Sequence, residues 1–290
     1  MSSAPRHPAP FTAACIQLSS GPEPAENIRA ASFLIRQAAD AGAELVMTPE
    51  TSDMIAPRRV AFEIAQEQEA HEALAAFRSL AAELGLWLLA GSLVVRVGPE
   101  RLANRSFLIG PDGAVMARYD KIHMFDVEIP DGQSYRESKA YRPGEETALV
   151  ELPWGRLGLT ICYDLRFPQL YRALAQAGAD FLTVPSAFTR FTGQAHWHLL
   201  LRARAIETGC FIFAPAQCGQ HHGGRETYGH SLIVAPWGEV LSDGGEAPGV
   251  TTARIDPARI AEARAMVPAL QHDRPFQTET ARPALRAAGE

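Results

Sequence analysis

The chain has 290 residues, of which 47% are hydrophobic and 21% charged, and its formal net charge is −6. This composition is typical of a folded globular protein and excludes both a disordered chain and the basic surface that nucleic-acid binding requires. Its four cysteines are too few for a disulfide scaffold. The polar start MSSAPRHPAP lacks the apolar core of a secretory signal. No apolar run reaches the roughly 18 residues of a membrane span. These features predict a cytoplasmic protein with reduced thiols and no nucleic-acid or membrane partner.

Apolar runs and amphipathic runs alternate along the chain, which indicates an α/β fold. In the first half the pattern predicts, in order, strand 11–18, helix 27–41, strand 45–47, helix 63–84 and strands 87–95, 105–109 and 115–119. Residues 120–147 hold few apolar positions and are predicted to form a long irregular segment, a kind of segment that is often functional. In the second half the pattern predicts strand 157–161, helix 168–177, strand 181–184, helix 196–208 and strands 211–216, 231–235 and 251–255.

The two halves of the chain echo each other in sequence. Residues 41–50 read AGAELVMTPE and residues 177–186 read AGADFLTVPS, while NRSFLIGPDGAV at 104–115 matches GHSLIVAPWGEV at 229–240. Two interpretations stay open at this point. Either the chain contains a duplicated α/β unit whose two sheets face each other, or separate strand ends use the same common Pro-x-Gly turns independently.

No inter-domain linker is evident between the two halves. A single domain is therefore predicted over residues 1–290, with a core of about 11–256 and an irregular tail at 274–290.

Cys162 lies at a junction between a predicted strand and a predicted helix. It follows the apolar sequence RLGLTI and precedes YDLRFPQL, where a helix begins. Ligands bind at the carboxyl ends of strands in α/β sheets, and helix-start amides together with Arg166 are predicted to favour a thiolate here. The alternative is a buried, inert cysteine, which is the commoner fate of this residue.

Two further polar residues follow predicted strands. Glu50 ends the run LVMTPE, and Lys121 lies in RYDKIHMFD. Taken singly, Glu50 is either a helix N-cap or a buried general base, and Lys121 is more often a surface residue than a functional one. The combination of Glu50, Lys121 and Cys162 is more specific than its members, because each of the three comes at a strand end.

The order PE, YDKIH and ICYDLRFP resembles the nitrilase superfamily of carbon–nitrogen hydrolases and its Nit-type amidase branch. The resemblance covers about residues 11–255. It includes DVEIPDGQSYRESKAYRPG at 126–144, PSAFTRFTGQAHWHLLLRARAIETGCFIFAPAQCG at 185–219 and TYGHSLIVAPWG at 227–238. It implies a four-layer α–β–β–α sandwich with an internal pseudo-twofold repeat, which agrees with the echo between the halves.

The same resemblance implies the catalytic residues. The family's Glu–Lys–Cys triad maps onto Glu50, Lys121 and Cys162. A second glutamate, which holds the site together, matches Glu137 of the predicted irregular segment, and Glu128 is the other candidate.

The implied reaction is hydrolysis of an amide through a thioester acyl-enzyme. The sulfur of Cys162 attacks the carbonyl, and Lys121 and the backbone N–H of Tyr163 stabilise the oxyanion. No metal or organic cofactor is implied.

Arg166 lies four residues after the cysteine, and its guanidinium suits a carboxylate. A small-molecule amide that carries a carboxylate is therefore the predicted substrate, with Tyr163 and Arg166 as substrate-binding residues. The alternative is that Arg166 forms a structural ion pair with Asp164 or Glu137.

Nit-type relatives act on deaminated glutathione or on ω-amides of dicarboxylic 2-oxo acids. The DVEIP and AQCGQHH stretches look more like the first group. An ω-amidase, another short-chain aliphatic amidase or a carbamoyl hydrolase is the alternative. The segment MTPETSDMIAPRR departs from the eukaryotic members and is predicted to reshape the pocket beside Glu50.

Two other classes of protein compete with this interpretation. A metal-dependent hydrolase would use His196 and His198 of HWH, or Cys218, His221 and His222 of CGQHH. Residues at i and i+2 of a helix point to different faces, however, and the second cluster lies in a Gly-rich loop. A non-catalytic binding module would ordinarily lack one of the three polar residues. No metal or cofactor is therefore predicted, and the resemblance implies a homodimer or a larger homo-oligomer.

Overall fold

The computed structural model describes residues 8–129 and 134–279, and in these ranges two six-stranded sheets lie face to face. The first sheet contains, in spatial order, β16 (Gly249–Ile255), β1 (Phe11–Gln17), β2 (Leu45–Met47), β3 (Trp87–Gly98), β4 (Arg101–Ile109) and β5 (Val115–Asp120). The second contains β8 (Ala148–Leu152), β9 (Gly155–Leu159), β10 (Phe181–Thr183), β11 (Phe211–Ala214), β14 (Leu232–Val234) and β15 (Val240–Asp243).

Two short hairpins and a set of helices complete the described ranges. The hairpins are β6 (Asp126–Glu128) with β7 (Ser134–Arg136), and β12 (Cys218–Gln220) with β13 (Glu226–Tyr228). The α-helices are α1 (Pro24–Asp40), α2 (Arg58–Ile64), α3 (Glu72–Leu84), α4 (Pro168–Gln176), α5 (Arg190–Thr208) and α6 (Ala258–Met266).

The two sheets have the same spatial order of strands and the same pattern of parallel and antiparallel neighbours. In the first, β1, β2 and β3 are parallel neighbours, β4 and β5 follow as antiparallel strands, and β16 flanks β1. In the second, β9, β10 and β11 are parallel, β14 and β15 follow as antiparallel strands, and β8 flanks β9. This correspondence favours the interpretation of the sequence echo as a duplicated unit.

Alternate residues of the first sheet pack on opposite faces, as the pleat of a strand requires. Cys15 faces the second sheet, where its sulfur lies 3.8 Å from the carbonyl oxygen of Leu232. Its neighbour Ile16 packs on the other face with Ile35 of α1 and Phe77 of α3. Helices α4 and α5 cover the outer face of the second sheet. The predicted α–β–β–α sandwich is confirmed.

The single helix predicted over 63–84 is wrong at its start. The chain instead forms α2, a 3-10 turn at Gln68–Ala70, and α3. The break occurs because Gln66 leaves the helical path. Its backbone carbonyl accepts a hydrogen bond from Arg96 at 2.8 Å, and its side-chain oxygen caps the N–H of Glu72 at 2.9 Å.

Helix α5 begins at Arg190, earlier than the predicted residue 196. Gly193 lies in the first turn of this helix, and glycine is a poor helix former. The sequence pattern therefore does not predict a helix start before this residue. The structure gives a reason for the glycine, because a Cβ at this position would lie 2.4 Å from the side chain of Tyr228.

The segment 120–147 is only partly irregular, since it carries the β6–β7 hairpin and a 3-10 turn at Glu137–Lys139. The sequence pattern also does not predict β8, β12, β13, β15 or α6, most of which are short. Residues 274–279 form no regular secondary structure, and residues 280–290 of the predicted tail lie outside the described residues. Within the described ranges, no helix combines the length and the apolar character that crossing a membrane requires. The single-domain organisation stays a prediction.

Candidate active site

Three strand ends bring polar side chains into one buried region between the two sheets. Glu50 lies three residues after β2, Lys121 directly after β5, and Cys162 three residues after β9. The first two strands belong to one sheet and the third to the other, so both halves of the chain contribute. The three residues are 4%, 2% and 7% exposed, respectively.

Lys121 is the centre of a buried ion-pair cluster. Its Nζ lies 2.9 Å from Oε1 of Glu50, and 3.0 Å and 2.9 Å from the two carboxylate oxygens of Glu137. The Asn104 side-chain amide donates to both carboxylates, at 2.8 Å and 3.3 Å, and the N–H of Phe125 donates to Glu137 at 2.6 Å. Losing one partner of such a cluster typically costs about 3–5 kcal/mol, because the remaining charge is buried without compensation.

Burial and the neighbouring charges together set the protonation states of the cluster. Burial alone would raise the pKa of Glu50, but the ammonium of Lys121 outweighs it and holds that pKa below its usual range. Burial alone would lower the pKa of Lys121, but the carboxylates of Glu137 and Glu50 hold it well above its ordinary value. Lys121 is therefore a cation at neutral pH, and Glu50 is an ionised carboxylate that can accept a proton.

Cys162 occupies a strained turn at the start of a 3-10 helix, Cys162–Arg166. Its φ is +48°, a left-handed conformation that costs a non-glycine residue roughly 1–3 kcal/mol and that is concentrated at active sites. Its N–H donates to the carbonyl of Pro185 at 3.0 Å, which ties the turn to the end of β10. The Glu50 carboxylate is a neighbour of this thiol in the pocket.

The thiol of Cys162 is protonated in the free site. Burial raises its pKa, and the charge of Glu50 raises it further, against a smaller lowering by Lys121. The prediction that helix-start amides and Arg166 favour a resting thiolate is therefore wrong. The physical reason is that burial and the charge of Glu50 raise the pKa of the thiol by more than the charge of Lys121 lowers it. A nucleophilic attack by this sulfur therefore needs a proton acceptor.

Asp164 fixes the turn that carries the cysteine. Its buried carboxylate accepts hydrogen bonds from the N–H of Ile161 at 2.9 Å and from the hydroxyl of Tyr119 at 2.7 Å. It also accepts from the backbone N–H and the ring of His123, at 3.0 Å and 2.7 Å. Tyr119 and His123 flank Lys121 in sequence, so Asp164 connects the lysine segment of one sheet to the cysteine turn of the other.

Gly91 of β3 lets the chain before Glu50 approach closely. A Cβ at this position would lie 1.8 Å from the carbonyl oxygen of Thr48 and 2.7 Å from that of Pro49. Any larger residue would push this segment away from β3. The position of the Glu50 carboxylate therefore depends on a glycine in the neighbouring strand.

A pocket of about 460 Å³ opens over Glu50, Lys121 and Cys162, which is within the roughly 300–1,000 Å³ of small-molecule sites. Its apolar wall comes largely from the following residues: Ile55, Ala56, Pro57, Leu102, Phe125, Tyr135, Tyr141, Tyr163 and Phe188. Its ionisable lining among the described residues includes two carboxylates, Glu50 and Glu137, against four cations, Lys121, Arg58, Arg136 and Arg225. The MTPETSDMIAPRR segment contributes Thr51, Ile55, Ala56, Pro57 and Arg58 to the pocket, and its effect on pocket shape stays a prediction.

Two of the predicted residues lie away from this pocket. Arg166 is not among the lining residues that the structure describes. Its guanidinium packs over the ring of Phe188 at 5.2 Å and faces His196, so it forms neither of the predicted ion pairs. Glu128 has a side chain that is 77% exposed and pairs with Arg136. Between the two candidate glutamates, only Glu137 contacts Lys121.

The histidine-rich motifs do not assemble as the metal alternative requires. His196 faces Arg166 and His198 faces Asp243, so the two side chains of HWH diverge. Both ring nitrogens of the buried His221 contact protein oxygens, at 2.9 Å and 2.6 Å.

Sequence reasoning missed three contributors to the site. Asn104 bridges Glu50 and Glu137, and the N–H of Ala187 donates to Glu50 at 2.7 Å. Arg225 donates to the carbonyl of Ala187 and lies over the ring of Tyr135. Asn104 offered a signal, because asparagine is unusual inside an apolar strand. A backbone amide and an arginine in a Gly-rich loop offered none.

The fold and the buried Glu–Lys–Cys cluster define a carbon–nitrogen hydrolase, and the chain belongs to that family. The carbon–nitrogen hydrolase family profile matches residues 12–265. The predicted enzyme class, an amidase of the nitrilase superfamily, is confirmed.

Several named proteins are similar to this chain in sequence or in structure. A deaminated glutathione amidase of Synechocystis is 43% identical over 268 residues, which cover 91% of this chain and 98% of the relative. The crystal structure of the Caenorhabditis elegans NitFhit protein has a TM-score of 0.87 and 37% identity, covering 93% of this chain and 66% of that one. A glutamate-to-glutamine mutant of the Nesterenkonia amidase has a TM-score of 0.78 and 27% identity, covering 94% of this chain and 97% of that one. That structure contains an acetamide moiety bound covalently to the active-site cysteine.

Proposed function

We propose that the protein hydrolyses deaminated glutathione at the amide that joins its 2-oxoglutaryl group to cysteinylglycine. The observation that carries this proposal is a buried Glu50–Lys121–Cys162 cluster under a pocket with more cations than carboxylates. The substrate has one carboxylate beside its keto group and another on glycine, and arginine suits both. The relative named for this activity matches over 98% of its own length, which supports the same assignment.

In the proposed first step, Glu50 takes the proton of the Cys162 thiol while the sulfur attacks the amide carbon. The carboxylate and the thiol are buried neighbours, so the proton has only a short distance to move. A general base of this kind contributes roughly 10²–10⁴ in rate. A carbon–sulfur bond forms, the carbonyl π pair moves to oxygen, and the proton rests on Glu50.

The oxyanion receives hydrogen bonds from Lys121 and from the backbone N–H of Tyr163. Lys121 has three N–H donors, and it directs them at one oxygen of Glu50 and two of Glu137. One donor suffices to hold Glu137, so another can turn to the oxyanion. Each such donor is worth about 3–4 kcal/mol in the transition state.

The tetrahedral intermediate collapses when Glu50 returns its proton to the departing nitrogen, which leaves as the amine of cysteinylglycine. The acyl group stays on Cys162 as a thioester. Glu50 then takes a proton from water, the hydroxide attacks the thioester carbon, and the proton returns to the sulfur. One water is consumed, and 2-oxoglutarate and cysteinylglycine are released.

A panel of amides tests the substrate. Deaminated glutathione, the ω-amides of 2-oxoglutarate and 2-oxosuccinate, and uncharged aliphatic amides are compared by kcat/KM, with cysteinylglycine and ammonia measured by mass spectrometry and a coupled assay. We expect the highest kcat/KM for deaminated glutathione. A higher value for the primary ω-amides would make the protein an ω-amidase, and a preference for uncharged amides would overturn the carboxylate argument.

Arg225 is expected to bind a substrate carboxylate. Its buried Nε has no hydrogen-bond partner in the part of the chain that the structure describes, and its guanidinium is held by the carbonyl of Ala187 and the ring of Tyr135. Arg225→Gln should raise KM for deaminated glutathione roughly 10- to 100-fold, the usual loss for a hydrogen bond to a charged group. Steady-state kinetics on wild type and variant measure this change.

Arg166→Gln is the matched control, since Arg166 lies close to the cysteine in sequence but outside the pocket lining. It should leave KM nearly unchanged. An uncharged amide provides a second control, because Arg225→Gln should alter its KM far less than that of the carboxylate substrate. Equal effects on both substrates would contradict the assignment, and a large effect of Arg166→Gln would restore the prediction from sequence.

We further propose that the protein acts as a homodimer in the cytosol. Two large apolar side chains on the outer face of α5 are exposed, Leu199 at 68% and Ile206 at 57%. Trp237, which lies beside this helix, is 56% exposed. A second copy covering this face would bury them, and a reducing compartment would keep the Cys162 thiol available. Light scattering should return about twice the chain mass of 31.4 kDa, and Leu199→Glu should shift it to the single-chain value. A single-chain mass for the wild type would contradict the dimer.

A further inference from the structure

Three metal-ligand side chains converge on the outer surface of the second sheet, away from the residues that line the pocket. His198 comes from α5, His230 from the turn before β14, and Asp243 from the end of β15. The Nε2 of His198 lies 3.0 Å from Oδ2 of Asp243, and the Nδ1 of His230 lies 2.9 Å from Oδ1. The three ligand atoms lie within 4.8 Å of one another.

The cluster is held in place by contacts that do not involve its ligand atoms. His230 has a φ of +56°, and its backbone is fixed on both sides. Its carbonyl accepts from the indole N–H of Trp197 at 2.8 Å, and its N–H donates to Gly245 at 2.6 Å. The ring of Tyr228 stacks on the imidazole with centroids 4.5 Å apart. The His230 ligand is therefore preorganised.

The Asp243 carboxylate has a third contact in addition to the two imidazoles. Its Oδ1 accepts a hydrogen bond from the N–H of Gly245 at 2.9 Å. A carboxylate oxygen and two imidazoles form the ligand set that borderline divalent cations prefer, whereas Mg²⁺ and Ca²⁺ prefer oxygen ligands alone.

We propose that His198, His230 and Asp243 form a zinc-binding site whose fourth ligand is water. Tetrahedral Zn²⁺ with bonds of about 2.0–2.1 Å separates its ligand atoms by about 3.3 Å. The ring nitrogens of His198 and His230 lie 3.0 Å and 3.2 Å from Oδ2 of Asp243, close to that value. A zinc ion would bind, in their unprotonated form, the ring nitrogens that now contact Asp243. The metal would join α5 to β15. The residues at the start of α5, Thr189 and Thr192, line the catalytic pocket, so the site stabilises the wall of that pocket without touching the substrate.

Zinc titration of the untagged full-length protein tests this site by isothermal calorimetry and thermal melting. The wild type should bind one Zn²⁺ per chain and melt at a higher temperature when zinc is present, because the metal binds only the folded state. Asp243→Asn and His198→Gln should each weaken binding at least roughly 10-fold. His196→Gln is the matched control, because this neighbouring histidine lies outside the cluster, and it should bind zinc as the wild type does.

The thiol of Cys162 is the rival ligand, and Co²⁺ distinguishes the two sites. Cobalt bound by nitrogen and oxygen gives visible d–d absorption alone, whereas a cysteine ligand adds an intense near-ultraviolet charge-transfer band. Visible bands that persist in Cys162→Ala and disappear in Asp243→Asn support the proposal. A charge-transfer band lost in Cys162→Ala, zinc affinity unchanged in Asp243→Asn and His198→Gln, or absence of zinc binding by the wild type would overturn it. None of these readouts depends on which amide the enzyme cleaves.

Discussion

Replacing Cys162 with alanine is expected to abolish amide hydrolysis, lowering kcat by roughly 10⁴-fold or more. The alanine keeps Glu50, Lys121 and Glu137 in place, since their mutual contacts do not pass through the sulfur. Water activated by Glu50 would be the remaining nucleophile, and it lacks the covalent intermediate that divides the reaction into two easier steps. Product formation by mass spectrometry measures the loss, and intact-protein mass measures the acyl-enzyme, which only the wild type should form.

Cys218→Ala is the matched control for this substitution. Cys218 is also a free, buried thiol, but it does not line the pocket. Its removal should leave kcat close to the wild-type value. Melting temperature separates catalysis from folding, because both variants remove one sulfur from a buried position. Retained activity in Cys162→Ala would refute the nucleophile assignment whatever the substrate.

The residues that sequence reasoning could identify are those whose neighbours along the chain form a pattern. Glu50, Lys121 and Cys162 each follow a predicted strand, so their positions at strand ends are predictable from order alone. The duplicated topology is visible for the same reason, because AGAELVMTPE and AGADFLTVPS end corresponding strands, β2 and β10. Local sequence therefore indicates which residues lie at the edge of each sheet.

What local sequence does not reveal is which charges meet across the two sheets. The proximity of Arg166 to Cys162 in the chain suggested a substrate ligand, yet the 3-10 turn directs its side chain to His196 and Phe188. The arginine that lines the pocket is instead Arg225, which comes 63 residues after Cys162 in the chain. Likewise, Glu50 reaches the sulfur from the opposite sheet and reverses the expected effect on its pKa. Such contacts depend on packing between elements and not on spacing within one element.

Replacing Glu50 with glutamine is expected to have two opposite effects, slower turnover and a more acidic thiol. The glutamine oxygen would face Lys121 and Asn104, both donors, so its NH₂ group would face the N–H of Ala187 and the sulfur. The base is lost, and kcat should fall roughly 10²–10⁴-fold. The carboxylate charge that raises the Cys162 pKa is lost as well.

The sign of the pKa change follows from charge alone. A thiol gains a negative charge on ionisation, so a neighbouring anion disfavours the thiolate and its removal lowers the pKa. The midpoint pH for alkylation of Cys162 by iodoacetamide should therefore be lower in Glu50→Gln than in the wild type, while amidase activity is lower at every pH. Peptide mass spectrometry locates the label on this cysteine.

Glu128→Gln provides the control for overall charge, because it removes the same formal charge from an exposed side chain. It should change neither turnover nor the alkylation midpoint. If Glu50→Gln instead moved that midpoint to higher pH, the carboxylate would be stabilising a resting thiolate, and the proton transfer assigned to Glu50 would have no thiol proton to remove. If the wild type, Glu50→Gln and Glu128→Gln all had the same alkylation midpoint pH, the Cys162 sulfur and the Glu50 carboxylate would not interact in solution.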